Sequence, residues 1–421
     1  MNDQPRLLVY SSLFPSAARP GAGLFIRERM FRVAARFPMV VVSPVPWFPL
    51  QGLIRRWKPW FRPETTRHEQ QQGIDVYYPR FLSFPGVLKS LDGLFMALGS
   101  LSLLWQLRRT FRFNLIDAHF AFPDGDAATL LGRWFRVPVT ITLRGTEVPL
   151  ARYRLRRRRM LLALRRASRI FAVADSLKRH VTALGAPEYK ILVVGNGVDI
   201  SKFYPLPQVD AREHLQLPEN VPTLISVGGL VERKGFHRVI EVLTALREDF
   251  PELQYLVVGG PGPEGDWQAR LKQQVIELGL QDAVRFLGSM PGEQLKLPLS
   301  AANVFVLATR NEGWANVFLE AMACGLPVVT TGVGGNAEVV CLPELGTIVP
   351  FGDSGALERA LREALKKNWS REKILAYARD NAWEKRVDVL AQEFKLLVAE
   401  NTDHYDTGDQ SRQAVNDGCE R

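Results

Sequence analysis

Residues 312–330 read Glu-Gly-Trp-Ala-Asn-Val-Phe-Leu-Glu-Ala-Met-Ala-Cys-Gly-Leu-Pro-Val-Val-Thr. Glu312 and Glu320 stand eight positions apart, with Gly313 ahead of a helical stretch and an apolar strand after it. A helix N-terminus presents unpaired backbone N–H groups and about half a positive charge, a natural seat for phosphate. Glu312 in the loop and Glu320 on the first turns set acceptors on both sides of that seat. A ligand with hydroxyls at either end and a diphosphate in the middle fits such a pair, and a nucleotide sugar is that kind of ligand.

Working outward, short apolar runs alternate with helical stretches, the pattern of parallel sheets covered by helices. It occurs twice. Leu7–Tyr10, Val40–Val42, Leu115–Ala118, Val139–Leu143, Ile170–Val173 and Ile191–Val194 read as strands in the first half. Leu224–Val227, Tyr255–Val258, Val284–Phe286, Val304–Leu307, Val328–Thr330 and Thr347–Val349 do so in the second. Asn196-Gly197-Val198-Asp199, with Pro205 and Pro207 beyond it, is the linker candidate. The expected division is an N-terminal domain over 1–200 and a second over 201–380. Trp383–Glu400 is an amphipathic helix with Val387, Leu390, Phe394 and Leu397 on one face. The polar stretch 401–421 reads as a disordered tail.

The 421 residues leave room for two or three domains, and 46% hydrophobic with 23% charged residues is ordinary for a soluble protein. The net charge of +10 is unevenly spread. Residues 1–200 hold 31 Lys and Arg against 13 Asp and Glu, while the remainder holds 23 against 31. A basic half and a mildly acidic half imply different partners. Cys324, Cys341 and Cys419 show neither a disulfide framework nor metal-ligand spacing. The opening residues lack the pattern of a signal peptide, and Leu91–Leu107 is short for a bilayer span. The expectation is a cytoplasmic protein, peripheral on the inner face of the membrane.

Ser226-Val-Gly-Gly-Leu-Val-Glu-Arg-Lys-Gly235 reads as a strand, a glycine turn and two cations at the mouth of a helix. Gly228 and Gly229 let a diphosphate approach the backbone, and Lys234 offers a point charge. With the Glu312–Glu320 stretch about 80 residues on, the chain resembles retaining GT-B glycosyltransferases of family four, of the cell-surface polysaccharide type.

That resemblance implies two Rossmann-like doubly wound parallel-sheet domains facing a cleft, with a C-terminal helix (381–400) crossing back to the first domain. It implies transfer of a sugar from a UDP- or GDP-linked donor to a lipid-linked saccharide, with retention and without metal or other cofactor. Gly313, Trp314, Ala315, Asn316 and Val317 would meet the sugar and phosphates, and Glu320 the ribose hydroxyls. Phe286–Ser289 would lie against the nucleobase, and Gly332–Glu338 would add a glycine loop. Arg233, Lys234 and Glu312 would act at the departing diphosphate. The family usually has Arg where Gly229 stands, so Arg233 is the candidate replacement. Gly21 and Gly23 match the N-terminal glycine loop that nears the donor phosphates.

In the first half, Asp117-Ala-His-Phe-Ala-Phe-Pro-Asp-Gly-Asp126 puts His119 just past a strand end, where open α/β sheets hold ligands. A histidine there can orient an acceptor hydroxyl or move its proton. Asp124-Gly-Asp126 spells the Asp-x-Asp of metal-dependent transferases, but its place before a helix makes it a cap. Arg144 stands where the family has histidine. It cannot be a general base at neutral pH but can clamp a phosphate. Glu147 holds the acidic position of the same segment, and His119, Arg144 and Glu147 would together bind the acceptor.

Arg152–Arg169 contains nine arginines and no acid, interleaved with Leu155, Met160, Leu161, Leu162 and Leu164. Upstream, 55–62 mixes cations with Trp and Phe. That composition suits the headgroup zone of an anionic bilayer. No nucleic-acid module accompanies the charge. A nucleotide-sugar epimerase or sugar phosphorylase shares the expected fold, and a non-enzymatic polyanion binder would explain the arginines alone.

Overall fold

The computed structural model describes residues 4–49, 51–57, 61–262 and 264–417, with side chains as far as Asn401. Two compact units divide the chain: 1–195 together with 386–421, and 196–385. The boundary falls at the expected linker.

The first unit contains β1 Leu7–Tyr10, β2 Met39–Val42, β3 Val45–Trp47, β4 His68–Gln71, β5 Ile74–Tyr77, β6 Arg80–Leu82, β7 Leu115–His119, β8 Val139–Leu143, β9 Arg169–Ala172 and β10 Ile191–Val193. Eight of them form one sheet in the order β10-β9-β8-β7-β1-β2-β5-β4. All its pairings are parallel except β4 with β5, and β3 pairs with β6 in a separate ribbon. The second unit contains β11 Thr223–Val227, β12 Gln254–Val258, β13 Val284–Gly288, β14 Val304–Leu307, β15 Val328–Thr331 and β16 Gly346–Val349. They form a parallel sheet ordered β13-β12-β11-β14-β15-β16. Strands such as Leu7–Tyr10 and Val304–Leu307 are apolar throughout because helices cover both faces.

All twelve strands read from the apolar runs are present. The additional strands β3 to β6 lie within 45–82, where His-Glu-Gln-Gln of β4 offers no apolar signal.

Strand order reverses between β1 and β7 in one unit and between β11 and β14 in the other. Ligands of open α/β sheets bind at the carboxyl ends of strands flanking such a reversal. His119 ends β7, Gly228 follows β11, and the segment leading to Glu312 follows β14. The candidate residues therefore stand where the topology leaves room for ligand.

The helix Asp92–Thr110 buries Met96, Ala97, Ser100, Leu104 and Leu107. Lys89–Thr110 is long and apolar enough to cross a membrane by length and composition, yet one face of it belongs to this core. The last helix runs from Trp383 to Asp417. Val387, Leu390, Ala391, Phe394, Leu397 and Val398 pack with Leu7, Val9, Leu115 and Phe171 of the first unit. Its continuation over 401–417 corrects the expected disordered tail. No proline interrupts the stretch, so the helix nucleated by the packed segment extends through polar residues. Residues 418–421 of that tail lie outside the described residues.

Phe394 is fully buried, edge-on to Phe171 with ring centroids 5.9 Å apart. Phe394→Ala is expected to cost about 3–5 kcal/mol in denaturant unfolding of the first unit. A loss below about 1 kcal/mol, the range of ordinary surface changes, would remove the returning helix from that core.

Candidate functional site

In the second unit, β11 ends in Gly228-Gly229, and a short turn over Glu232–Lys234 leads through Gly235 into the helix Phe236–Asp249. Gly235 has φ +76°, and a Cβ there would stand 2.0 Å from the Ala308 carbonyl oxygen. Glycine is therefore required, and it draws the cation-bearing turn against the end of β14. Arg310 N donates to the Arg233 carbonyl at 2.8 Å, and Thr309 Oγ1 donates to it at 3.0 Å.

The side chains converge across this seam. Lys234 Nζ lies 2.6 Å from Glu312 Oε1, Arg233 Nη1 lies 3.1 Å from the same oxygen, and Thr309 Oγ1 donates to it at 3.3 Å. Glu312 and Lys234 side chains are 10% and 17% exposed. At that shielding the pair is stronger than an ordinary surface ion pair. Arg233 also donates from Nε to Glu264 at 2.8 Å and from Nη1 to the Asn311 carbonyl at 2.9 Å. Burial alone would lower the Arg233 pKa, but Glu264 and Glu312 outweigh it and hold the pKa above its usual value. The loop beyond β15 closes on the same carboxylate-bearing segment. Gly334, at φ +53°, would bring a Cβ to 1.7 Å from the Glu312 carbonyl oxygen.

The helix Asn316–Ala323 begins directly after this knot, with Ala315 at its N-cap. Asn196 Nδ2 donates to Asn316 Oδ1 at 2.9 Å. Ala315 is buried, while Trp314 and Val317 pack partly buried on the core. The Trp314 indole nitrogen is buried without a hydrogen-bond partner. Glu320 is half-buried one turn into the helix. At Gly229 a Cβ would meet only ordinary contacts, Gly262 Cα at 3.6 Å. Space therefore does not demand glycine there.

The structure thus brings Lys234, Arg233 and Glu312 together at the mouth of the Asn316 helix. Thr309, Glu264 and Asn196 were missed by sequence reasoning. Each is a polar residue in a loop whose partner is distant in the chain, so no local pattern marks it.

In the first unit, Gly23 has φ +67° and caps the helix Leu24–Ala34, and a Cβ on it would clash with the Leu13 carbonyl. Nothing approaches Gly21. His119 has no exposed surface. Arg144 donates to its Nδ1 from Nη2 at 3.1 Å and from Nε at 3.3 Å. The ring proton therefore sits on Nε2, 3.4 Å from Asp117 Oδ2. Burial lowers the imidazole pKa to about 4 against the opposing charge of Asp117. His119 is thus a neutral acceptor that orients Arg144 rather than a group facing an open site. The Arg144 guanidinium also lies 5.0 Å from the centre of the Phe25 ring.

Glu147 is fully buried, and its oxygens accept from the backbone N–H groups of Ala121, Arg144 and Gly145. It fixes the turn that carries Arg144. Arg29 was also missed: its guanidinium is buried with no hydrogen-bond partner. Its signal is a cation on the apolar stripe Ile26, Met30 and Val33.

Asp124 and Asp126 do not cap a helix, which corrects that expectation. The helix Asp126–Phe135 has no side-chain cap. Asp124 accepts from the backbone N–H and the hydroxyl of Ser12, and Asp126 pairs with Arg159 at 2.8 Å. Burial makes both carboxyls bind whatever donor the fold brings, and here those donors come from other elements. Among the described residues no group of three His, Cys, Asp or Glu is placed to hold a metal.

Comparison with known proteins bears on the fold and the class. Residues 61–202 match the family model described as Glycosyltransferase Family 4, and residues 208–381 match that of Glycosyl transferases group 1. A Bacillus subtilis (strain 168) protein named as a glycosyltransferase of teichuronic acid biosynthesis is 28% identical over 78% of this chain and 82% of its own. An Escherichia coli (strain K12) protein named for colanic acid biosynthesis is 32% identical over 47% of each chain. The solved structure of HepE from Anabaena, in complex with UDP-glucose, superposes with TM-score 0.64 at 20% identity, over 95% of this chain and 99% of its own. The fold is GT-B. Each of the two units matches a glycosyltransferase family model, and the chain is similar to GT-B glycosyltransferases.

Burial pushes the Asp124 carboxyl up to about 7, despite the stabilising bonds from Ser12. Its pKa in the unfolded chain is near 3.8. Between these values the native state keeps a proton that the unfolded state has lost, so this group's contribution to stability falls as pH rises from about 4 to 7. Asp124→Asn is expected to flatten the decline of the urea midpoint between pH 5 and 8 relative to the parent protein. Parallel profiles for the two proteins would contradict the assignment.

Proposed function

We propose that this protein transfers a sugar from a nucleotide-sugar donor, UDP-linked, to a lipid-linked glycan in cell-surface polysaccharide biosynthesis, with retention of configuration. The observation that carries the reading is the convergence of Lys234 and Arg233 on Glu312 beside the N-terminus of the Asn316 helix. Two cations and a helix end give the diphosphate a seat, and Glu312 holds the cations in place before it arrives. The names of the Bacillus and Escherichia relatives and the UDP-glucose in HepE support the substrate class.

In this reading Glu320 accepts from the ribose hydroxyls, and Gly228 and Gly229 admit the diphosphate to the backbone. Gly313, Trp314, Ala315 and Val317 meet the sugar and phosphates, with the unpartnered Trp314 N–H available to a donor oxygen. In the first unit Arg144, oriented by His119 and Glu147, meets the acceptor. The acceptor oxygen bonds to the anomeric carbon on the face from which the diphosphate leaves. The bond to the diphosphate breaks, and its oxygen takes the acceptor proton. Lys234, Arg233 and the helix end stabilise the departing charge, with no metal required.

The acceptor enters from the cytoplasmic leaflet. Arg152–Arg169 meets the anionic headgroups, and the exposed Tyr153 and Leu155 reach the interface.

Lys234→Ala is expected to lower turnover by about 10²–10³-fold in a protein that still folds, read as lipid-dependent UDP release from a panel of UDP-sugars. A rate within a few-fold of the parent protein's would dissociate Lys234 from the leaving group. A chelator is expected to leave the rate unaltered, and a collapse on its addition would end the metal-independent reading. The protein should float with phosphatidylglycerol vesicles at low salt, and its staying in solution would refute membrane docking.

A further inference from the structure

The polar strand β4 is engaged by side chain as well as by backbone. Glu69 and Gln71 alternate with the exposed His68 and Gln70, so they share one face of the strand. That face meets the loop between β1 and the helix Leu24–Ala34. The Glu69 carboxylate accepts from the backbone N–H of Ala17 at 3.2 Å and from the Thr66 hydroxyl at 2.7 Å. Gln71 Nε2 donates to the Pro15 carbonyl at 2.9 Å, and the Tyr78 hydroxyl, just past β5, donates to the same oxygen at 2.7 Å. Tyr78 is buried in the core of the first unit, where a hydroxyl needs such a partner. Burial raises the Glu69 pKa, but the bonds from Thr66, Ala17 and Gln71 outweigh it and hold the carboxylate below its usual range.

The loop so held leaves β1, which flanks the reversal of strand order, and therefore stands at the ligand end of the sheet. Ser12 is tied to Asp124 by its N–H and its hydroxyl, and Ser16 and Arg19 exchange backbone hydrogen bonds. Residues 17–21 are largely exposed and gain no order from burial, so bonds of this kind are what fix them. At the far end Gly23 packs against the Leu13 carbonyl and opens the helix whose second residue, Phe25, lies against the Arg144 guanidinium. Contacts thus run from the β4–β5 hairpin through residues 15–17 to the ring on which Arg144 rests.

We propose that Glu69, Gln71 and Tyr78 brace this loop and are positioning residues for the saccharide acceptor. The inference rests on the reading that Arg144 meets the acceptor. In this role none of the three touches substrate. Each fixes the loop and, through Phe25, the wall against which Arg144 is held.

Steady-state kinetics of the full-length protein tests it, read as UDP release while a UDP-sugar and a polyprenyl-diphosphate-linked saccharide are varied in turn. E69A and Y78F are each expected to raise the acceptor KM about three- to tenfold, the effect of one lost hydrogen bond, and to leave the donor KM within about twofold. E69Q, which keeps an oxygen for the Ala17 N–H, should restore most of the loss. Q70A, on the opposite face of β4, should change neither constant. Hydrogen exchange reads the brace without turnover: the amides of Ser16–Ala22 should exchange faster in E69A and Y78F, with those of β1 and β7 unchanged. An active parent protein whose E69A and Y78F variants keep its acceptor KM, or raise both KM values alike, would overturn the proposal. Unaltered exchange in the loop would do the same. A parent protein that releases no UDP with any lipid acceptor would instead overturn the transfer reading, and the acceptor role with it, while exchange still decides the brace.

Discussion

One carboxylate, Glu312, ties the ends of two adjacent strands together. Lys234 and Arg233 reach it from the turn after β11, while Glu312 itself rides on the segment after β14. The topology reverses between these strands, so no helix covers the gap where the cations would point. Without an acceptor, two cations held this close would repel each other and swing outward. Backbone approach makes the tie possible: Gly235 lies against the Ala308 carbonyl and Gly334 against that of Glu312, each with positive φ. The arrangement is built in advance of any ligand, the condition under which fixed charge best stabilises a departing group.

The first unit uses buried charge differently. At the ends of β7 and β8, Asp117, His119, Arg144 and Glu147 form a chain of contacts largely withdrawn from solvent. Asp117 stays ionised despite burial because His119, Thr140 and Arg29 favour its charged form. Glu147 keeps its oxygens on three backbone N–H groups, so its role is to hold a turn. Of these four, Arg144 alone is partly exposed. A neutral histidine accepting from an arginine fixes that arginine's orientation without cancelling its charge.

The main sheets were legible because their strands are buried on both faces and read as unbroken apolar runs, as in Met39–Val42 and Val328–Thr331. The stretch 45–82 was not, since β4 is a polar edge strand paired only with β5. The donor motif could be read because glycines, cations and acids cluster in short segments. The pairing of Lys234 with Glu312, 78 residues away, was not legible, because nothing in the spacing joins the two segments. Asp124 and Asp126 misled because a carboxylate ahead of a helix is a common cap, whereas burial committed these two to Ser12 and Arg159. His119 was legible in position but not in exposure. A strand-end address does not reveal whether neighbouring loops close over the ring.

The returning helix gives the first unit a broken sequence, 1–195 completed by 386–421. Val387, Leu390, Phe394 and Leu397 fill a core whose other walls, from Leu7 to Val194, are synthesised about 190 to 380 residues earlier. On the ribosome the second unit, continuous from 196 to 385, has all its strands before that core is closed. The nascent first half must therefore wait with Leu7, Val9 and Phe171 uncapped, and the order of maturation runs opposite to the order of translation.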